Sequence, residues 1–315
     1  MAQACSCVLL LIDMAAPSLL RTCLVSALLA GATLAAALLA GPMLTSRAVA
    51  DDADSPIGDA IRDVPIFDAH MHYKEPAWGP YPPETVIELM NNSGVAMALV
   101  SSTPDEGTIQ LFEYAPDRIV PELRPYHGDA GSGNWTKAAG MMDYLRDRLA
   151  RYPHEGLGEF HVHRIDPDDR SFLGEIAALA VQHALPIHVH SGAAPVALFY
   201  ELEPSLTIIW AHAGMSEPPD VVDDLLSRHP SLYADTSFRE SEILGNWQQW
   251  EPVIKRHADR LMVGTDTWVN SQWNQYEEII ASNRRWLARL PRVTAEKIAF
   301  RNAQQLFGRQ IKHPH

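Results

Sequence analysis

Cysteine is scarce in this chain and is confined to its beginning. The 315 residues include three cysteines, Cys5, Cys7 and Cys23. From residue 51 onward there is no thiol, which excludes disulfides, a cysteine nucleophile and cysteine metal ligands from that part of the chain. A domain of about 265 residues buries enough apolar surface to be stable without such cross-links.

Basic residues are also fewer than acidic ones. The chain has 25 Lys and Arg against 39 Asp and Glu, which gives a formal net charge of −14. Such acidity makes nucleic acid and anionic membrane surfaces unfavourable partners. The expected partner is therefore a small-molecule substrate, and assembly into a homo-oligomer is left open.

Residues 1–50 have the pattern of a targeting segment. An uncharged stretch rich in Ala and Gly, residues 22–44, follows Arg21, and the small residues Ala48 and Ala50 precede an acidic segment. This layout predicts a signal peptide that is cleaved after export to the periplasm. An uncleaved N-terminal membrane anchor is the alternative, because the uncharged stretch is long enough to span a bilayer.

Residues 51–315 alternate between short apolar runs and helical patterns, which indicates strand–helix units around a parallel sheet. The predicted strands are 64–70, 95–101, 119–126, 156–163, 186–190, 207–212, 231–237 and 260–266. Eight such units predict a single-domain α/β fold, the (β/α)8 TIM barrel, whose active sites lie at the carboxyl ends of the strands. A doubly wound open sheet is the competing architecture, although no Gly-rich phosphate loop follows the first strand.

Histidines recur in His-x-His pairs, and most of these pairs fall at predicted strand ends. The pairs are His70/His72, His161/His163, His188/His190 and His313/His315. Random placement of the histidines predicts roughly 0.6 pairs. Alternate residues of a strand point the same way, so His70 and His72 are suited to binding one ion. One buried, hydrogen-bonded pair would be an ordinary structural feature, but His190, His212 and Asp266 at later strand ends favour a shared metal site.

A series of motifs resembles a known superfamily. The motifs are DAHMH, GEF, LPIHVH, IIWAHAG, LYADTS, LMVGTD and RNAQQLFG. In this order, over residues 64–308, they resemble the amidohydrolase superfamily, specifically the amidohydrolase-related branch that includes aminocarboxymuconate-semialdehyde-type decarboxylases. The resemblance implies that the metal ligands are His70, His72, His190 and Asp266. It also implies that His212 either binds a second metal or polarises the substrate.

The fourth strand departs from one pattern of the superfamily, because it has no lysine that could be carbamylated to bridge two metals. Glu159 stands there instead and is a predicted metal ligand, with a hydrogen-bonding or a purely structural role as the alternatives. Imidazoles with a carboxylate suit Zn²⁺, or else Mn²⁺, Fe²⁺ or Co²⁺, better than Mg²⁺ or Ca²⁺. A site for a single metal ion is the default expectation.

The predicted activity is metal-dependent hydrolysis of an amide, ester or lactone bond. A bound divalent cation lowers the pKa of water to about 7. Asp266 would accept the proton of that water, and His212 would stabilise the developing oxyanion. The alternative is a non-oxidative decarboxylase of a small carboxylic acid. A third interpretation is a catalytically silent barrel, but the complete set of predicted ligands argues against it.

Three further residues are predicted to bind the substrate. Trp78 and Trp268 lie close in sequence to the predicted ligands and would form an aromatic pocket. Arg124 would bind a substrate carboxylate through its bidentate guanidinium. Packing of the tryptophans at the barrel rim, and a salt bridge from Arg124 to a neighbouring acid, are the alternatives.

Overall fold

The computed structural model describes residues 61–311. Within this range eight parallel strands form one sheet in the order of the sequence. The strands are β1 Ile66–Met71, β2 Val95–Ser101, β3 Ile119–Leu123, β4 Gly156–His161, β5 Ile187–His190, β6 Ile208–Trp210, β7 Leu232–Asp235 and β8 Leu261–Met262. The predictions made for residues 1–50 lie outside the described residues.

The sheet closes between its first and last strands. The backbone N–H of Ala69 donates to the carbonyl of Val263 at 2.8 Å, and that of His72 donates to Thr267 at 2.9 Å. Met71 and Thr267 also form a parallel bridge. The prediction of a (β/α)8 TIM barrel is therefore confirmed, and the open sheet is excluded.

Helices follow the strands along the chain. They are α1 Glu75–Trp78, α2 Pro83–Asn92, α3 Glu106–Tyr114, α4 Met141–Arg151, α5 Arg170–Gln182, α6 Ala193–Leu202, α7 Pro219–Arg228, α8 Glu240–Gly245, α9 Trp247–Arg256, α10 Asn270–Trp273, α11 Tyr276–Leu287, α12 Arg292–Glu296 and α13 Asn302–Leu306. Short 3₁₀ segments lie at Trp135–Lys137, Pro167–Asp169 and Ala211–Gly214, and a π-helical turn at Lys297–Arg301 precedes α13. No helix in the described part of the chain combines the length and apolarity needed to cross a membrane.

The core lies on both faces of the sheet. Every residue of β1 and β2 is buried, as expected for parallel strands that face the barrel interior on one side and helices on the other. Helix α7 illustrates the outer layer, because it buries Val222, Leu225 and Leu226, a spacing that forms one apolar stripe.

The observed strands are shorter than predicted where they approach the carboxyl-terminal rim. The predicted strand 260–266 is regular only over β8, and the predicted strand 207–212 only over β6. Beyond these strands, His212 (φ 56°) and Asp266 (φ 45°) adopt left-handed backbone conformations. Such conformations are unfavourable for residues other than glycine and concentrate at functional sites. The departure from regular strand geometry therefore coincides with two predicted site residues.

Candidate metal centre and active site

Three side chains of metal-ligand type meet at the ends of β1 and β8. His70 and His72 alternate along β1, so their imidazoles point to the same place. Their Nε2 atoms are 3.1 Å apart. Oδ1 of Asp266 lies 3.0 Å from Nε2 of His72 and 3.4 Å from Nε2 of His70. The structure thus brings together predicted ligands that are almost 200 residues apart in sequence, and all three are buried.

This donor set fits a divalent transition-metal ion. Nδ1 of His72 lies 2.8 Å from the carbonyl oxygen of Ser101 and must carry the proton, because a carbonyl only accepts. The lone pair on Nε2 of His72 then faces His70 and the Asp266 carboxylate. Such groups repel one another unless a proton or a metal cation lies between them. Ligand atoms bound to one Zn²⁺ at about 2.0–2.2 Å are roughly 2.8–3.6 Å apart, which matches the observed separations.

Asp68, the first of the alternating polar residues on β1, is a structural residue of this site. Thr265 donates to its carboxylate from the backbone N–H at 2.9 Å and from Oγ1 at 2.8 Å. The hydroxyl of Tyr276 donates to the same carboxylate at 3.1 Å, and burial raises the pKa of Asp68 to about 6. The backbone N–H of Asp266 donates to the carbonyl of His70 at 2.7 Å. Asp68 therefore joins β1 to the segment that carries Asp266.

Asp235 and Ser237, at the end of β7, orient two of the histidines. Oδ2 of Asp235 lies 3.3 Å from Nδ1 of His70 and accepts from the backbone N–H of His212 at 3.2 Å. Ser237 donates its hydroxyl to Asp235 and lies 2.8 Å from Nδ1 of His212. Because that hydroxyl proton is already used, Nδ1 of neutral His212 donates and its Nε2 is unprotonated. Sequence reasoning missed both residues, although their alternation within LYADTS was a signal.

Glu159 lies between the first group of ligands and His190. Its Oε2 is 3.2 Å from Nε2 of His72, and its Oε1 is 2.6 Å from Nδ1 of His190. Nδ1 of His190 is also 3.2 Å from Nε2 of His212. Glu159, His161 and His190 form a second group whose ligand atoms converge. The predicted ligand His190 is thus part of this adjoining group, and Glu159 directs one carboxylate oxygen toward each of the two groups.

His188 and His190 occupy different levels of the barrel. His188 is fully buried, with Nδ1 3.2 Å from Oε2 of Glu122 and Nε2 3.2 Å from Oδ2 of Asp235. Burial lowers the pKa of His188, but the charge of Glu122 and the hydrogen bond with Asp235 raise it to about 9. His188 therefore contacts the acids that support the site, whereas His190 lies beside Glu159.

Both carboxylates of the site are ionised at neutral pH. Burial opposes ionisation of Glu159, but His70, His190 and His212 lower its pKa well below the usual value. Burial also opposes ionisation of Asp266, and again His70, together with a hydrogen bond to His72, lowers the pKa. Two buried carboxylates beside clustered imidazoles are the charge pattern of a cation site.

A cavity of about 640 Å³ opens above these side chains. Its volume lies within the range of small-molecule sites, about 300–1,000 Å³. Residues that line it include Lys74, Arg124, Glu159, Phe238, Asp266 and Trp268. Lys74 was not singled out from the sequence, although it continues the alternation of His70 and His72 by one further step.

The three predicted substrate-binding residues have different surroundings. Trp268 lines the cavity and is 43% exposed. Arg124 also lines it, but Nη2 lies 2.6 Å from Oε2 of Glu159 and Nε donates to the carbonyl of Glu159 at 2.9 Å. Trp78 does not line the cavity, and its indole N–H donates to the carbonyl of Tyr73 at 3.0 Å. The salt bridge considered for Arg124 is thus present, and Trp78 packs at the rim.

Comparison with protein families gives one match that spans most of the barrel. A family model described as amidohydrolase matches residues 67–309. No curated protein matches the chain.

Several solved structures share the fold. The phosphotriesterase homology protein of Escherichia coli is 12% identical, with a TM-score of 0.60 over 78% of this chain and 99% of that chain. A putative 2-pyrone-4,6-dicarboxylic acid hydrolase from Pseudomonas putida is 15% identical, with a TM-score of 0.56 over 79% and 99%. The 5-carboxyvanillate decarboxylase of Sphingomonas paucimobilis is 12% identical, with a TM-score of 0.52 over 78% and 100%. At these identities the likenesses show the fold alone.

Proposed function

Because the chain belongs to the amidohydrolase family, we propose that it is a divalent-metal-dependent hydrolase of an amide, ester or lactone bond in a small molecule. The observation that carries this proposal is the placement of Asp266. Its Oδ1 faces Nε2 of His70 and His72, and its Oδ2 lies 3.8 Å from Nε2 of His212. The carboxylate lies in the wall of a cavity that opens to solvent, so water reaches a base that is already ionised.

His70, His72 and Asp266 would hold the metal ion, with Glu159 and His190 in position for a second ion or for contacts to the substrate. The metal, Zn²⁺ by preference for this donor set, would supply a nucleophilic water at neutral pH and polarise the scissile carbonyl. Asp266 would accept the proton of the attacking water, because a general base must be ionised and within reach of that proton.

His212 would act together with Asp266. Its neutral form presents an unprotonated Nε2, which accepts a proton, whereas oxyanion stabilisation requires a proton on that atom. Oε1 of Glu159 and Oδ2 of Asp266 lie 3.7 and 3.8 Å from this atom. We propose that Asp266 would pass the proton taken from water to Nε2 of His212, and that His212 would then donate it to the oxyanion or to the leaving group.

The test uses zinc-loaded protein with aryl esters, lactones and N-acyl amino acids as substrates. We expect turnover of at least one class, and Asp266→Asn should lower kcat at least about 100-fold while the circular dichroism spectrum stays unchanged. Asp143→Asn is the matched control, because Asp143 is highly exposed on α4. Full activity in Asp266→Asn would overturn the proposed role. Carbon dioxide release from hydroxybenzoic acids without hydrolysis would support the decarboxylase instead.

We also propose that the enzyme acts after export. The support is the signal-like pattern of residues 1–50, which precede the described part of the chain. N-terminal sequencing of protein recovered from the periplasm should give a start close to Asp51. An intact N terminus in the membrane fraction would indicate the anchor.

A further inference from the structure

Lys74 differs from the other lysines in how its charge is accommodated. Among residues 61–311, Lys137, Lys255 and Lys297 each pair with a carboxylate. No carboxylate in this range forms an ion pair with Lys74, although its side chain is half-buried and lines the cavity. Its ammonium instead lies 4.5 Å from the ring centroid of Trp268. A partly desolvated cation without a counter-ion is unfavourable, so this position is suited to receive an anion.

Arg124 does not fill the same role, although it was predicted to bind a substrate carboxylate. Its guanidinium forms an ion pair with Glu159 at 2.6 Å and a second hydrogen bond to the Glu159 backbone. These contacts already use the bidentate geometry that makes arginine a good carboxylate ligand. Of these two cavity cations, Lys74 is therefore the one whose charge is not matched by a carboxylate among the described residues.

The mouth of the cavity is apolar at three positions. Met215, Phe238 and Trp268 line the cavity and are 38%, 46% and 43% exposed. Phe238 has a left-handed backbone (φ 61°), which is unfavourable for a bulky residue, and its ring centroid lies 5.5 Å from that of His212. A strained backbone that presents an aromatic ring beside a site histidine suggests contact with an apolar part of the ligand.

We infer that Lys74 binds a carboxylate of the substrate, so that the substrate is a small organic acid whose apolar body lies against Phe238 and Trp268. The inference rests on the proposed function, because that function places the scissile bond at His70, His72 and Asp266. Thr103 also lines the cavity, and its buried Oγ1 has no hydrogen-bond partner among the described residues.

The experiment compares adipate with hexanoate, which share a carbon chain and differ only in the second carboxylate. Either probe can place one carboxylate on the metal, and only adipate can place another on Lys74. Isothermal titration of the zinc-loaded full chain should give a Kd for adipate at least about tenfold below that for hexanoate, as expected for one charge-assisted contact. Lys74→Met should abolish this preference and leave the hexanoate Kd within about twofold, whereas Lys74→Arg should retain the preference.

Lys255→Met is the matched control, because Lys255 lies on the surface and pairs with Glu251 at 2.7 Å. It should bind both probes like the wild type. Equal affinity of the wild type for the two probes would overturn the inference without any variant, and so would an adipate preference that survives in Lys74→Met. If Lys74 had a purely structural role, Lys74→Met should weaken the binding of adipate and of hexanoate by the same factor.

Ester and lactone turnover, measured on the same preparation, separates this inference from the proposed function. Turnover without an adipate preference would leave the hydrolase proposal intact and refute the role of Lys74. An adipate preference that depends on Lys74, without hydrolysis of any tested class, would refute the hydrolase proposal and support the anion site.

Discussion

Nε2 of His188 lies 3.2 Å from Oδ2 of Asp235, and that same oxygen lies 3.3 Å from Nδ1 of His70. A fully buried histidine thus links Glu122 on β3 to the carboxylate that orients the imidazole of His70, a proposed metal ligand. Acids behind a metal-bound histidine fix its tautomer and raise its basicity, and their loss commonly weakens metal binding about 10-fold to 100-fold. His188 is therefore placed to support the candidate metal site through Asp235.

We predict that His188→Leu weakens zinc binding about 10-fold to 100-fold, because Asp235 loses the partner that holds it. The free energy of unfolding should also fall by about 3–5 kcal/mol, since two buried carboxylates lose their ion pairs. Competition with a chromogenic chelator measures the first effect and urea denaturation the second. His183→Leu, at an exposed position, should change neither. Unchanged zinc affinity in His188→Leu would contradict the supporting role.

Gly264 leaves space for His70. A Cβ added at this glycine would lie 2.8 Å from Cβ of His70 and 3.0 Å from Oδ1 of Asp235. We predict that Gly264→Ala weakens zinc binding at least about tenfold by displacing His70, and that overpacking lowers the free energy of unfolding by about 1–3 kcal/mol. Gly133→Ala is the control, because nothing lies within 4 Å of a Cβ there. Zinc titrations of both variants give the comparison.

We expect that loss of the ion pair between Arg124 and Glu159 lowers the stability of the fold as well as affecting substrate binding. Both side chains are buried, and Nη2 lies 2.6 Å from Oε2. Arg124→Met would leave the Glu159 carboxylate without this partner and should lower the free energy of unfolding by about 3–5 kcal/mol. Arg124→Lys should lose less, because it keeps the charge but not the bidentate geometry.

The double variant Arg124→Met/Glu159→Gln should recover part of the stability lost in Arg124→Met, because the unpaired charge is gone. Urea denaturation of the single and double variants tests this coupling. An Arg124→Met protein as stable as the wild type, but with a raised KM, would restore the sequence-based view that Arg124 serves mainly as a substrate ligand.

The barrel and the convergence of His70, His72 and Asp266 were predictable because both follow from local patterns. Eight apolar runs with polar ends identified the strands, and His70, His72 and Asp266 fell at strand ends, which a parallel barrel brings to one rim. The sequence allows a salt bridge from Arg124 but does not identify Glu159 as its partner, because that pairing depends on the register between β3 and β4. The alternation within LYADTS marks Asp235 as a strand-end residue, but its contact with His70 depends on packing across the barrel, which a single sequence does not show.

The shortened strands were unpredictable for a related reason. Left-handed backbone at His212 and Asp266 requires a surrounding structure that holds it in place. For Asp266 one such contact is its backbone hydrogen bond to the carbonyl of His70, and for His212 it is Arg239, whose Nε donates to the His212 carbonyl at 2.9 Å. Neither constraint is visible in the short motifs GTD and WAH by themselves.

The pKa of Glu240, the first residue of α8, determines the direction in which its contribution to stability changes with pH. Its carboxylate is partly buried and accepts a hydrogen bond from Nδ2 of Asn283 at 3.0 Å. Burial raises its pKa to about 7, the hydrogen bond from Asn283 opposes that rise, and the nearby charges of Asp235 and His212 act in opposite directions. Between about pH 4.5 and pH 7 the folded protein therefore retains a proton that the unfolded chain has released. This group makes the protein less stable as the pH rises through that window.

We predict that Glu240→Gln removes this pH-dependent loss, because glutamine accepts the same hydrogen bond from Asn283 without titrating. At pH 8 the variant should be more stable than the wild type by on the order of 2–3 kcal/mol, and at pH 4.5 the difference should be close to zero. Urea denaturation at both pH values measures it. Glu277→Gln, at an exposed position on α11, is the control and should change the free energy of unfolding by the same small amount at either pH. A Glu240→Gln protein that gains as much stability at pH 4.5 as at pH 8 would show that titration of Glu240 is not the cause.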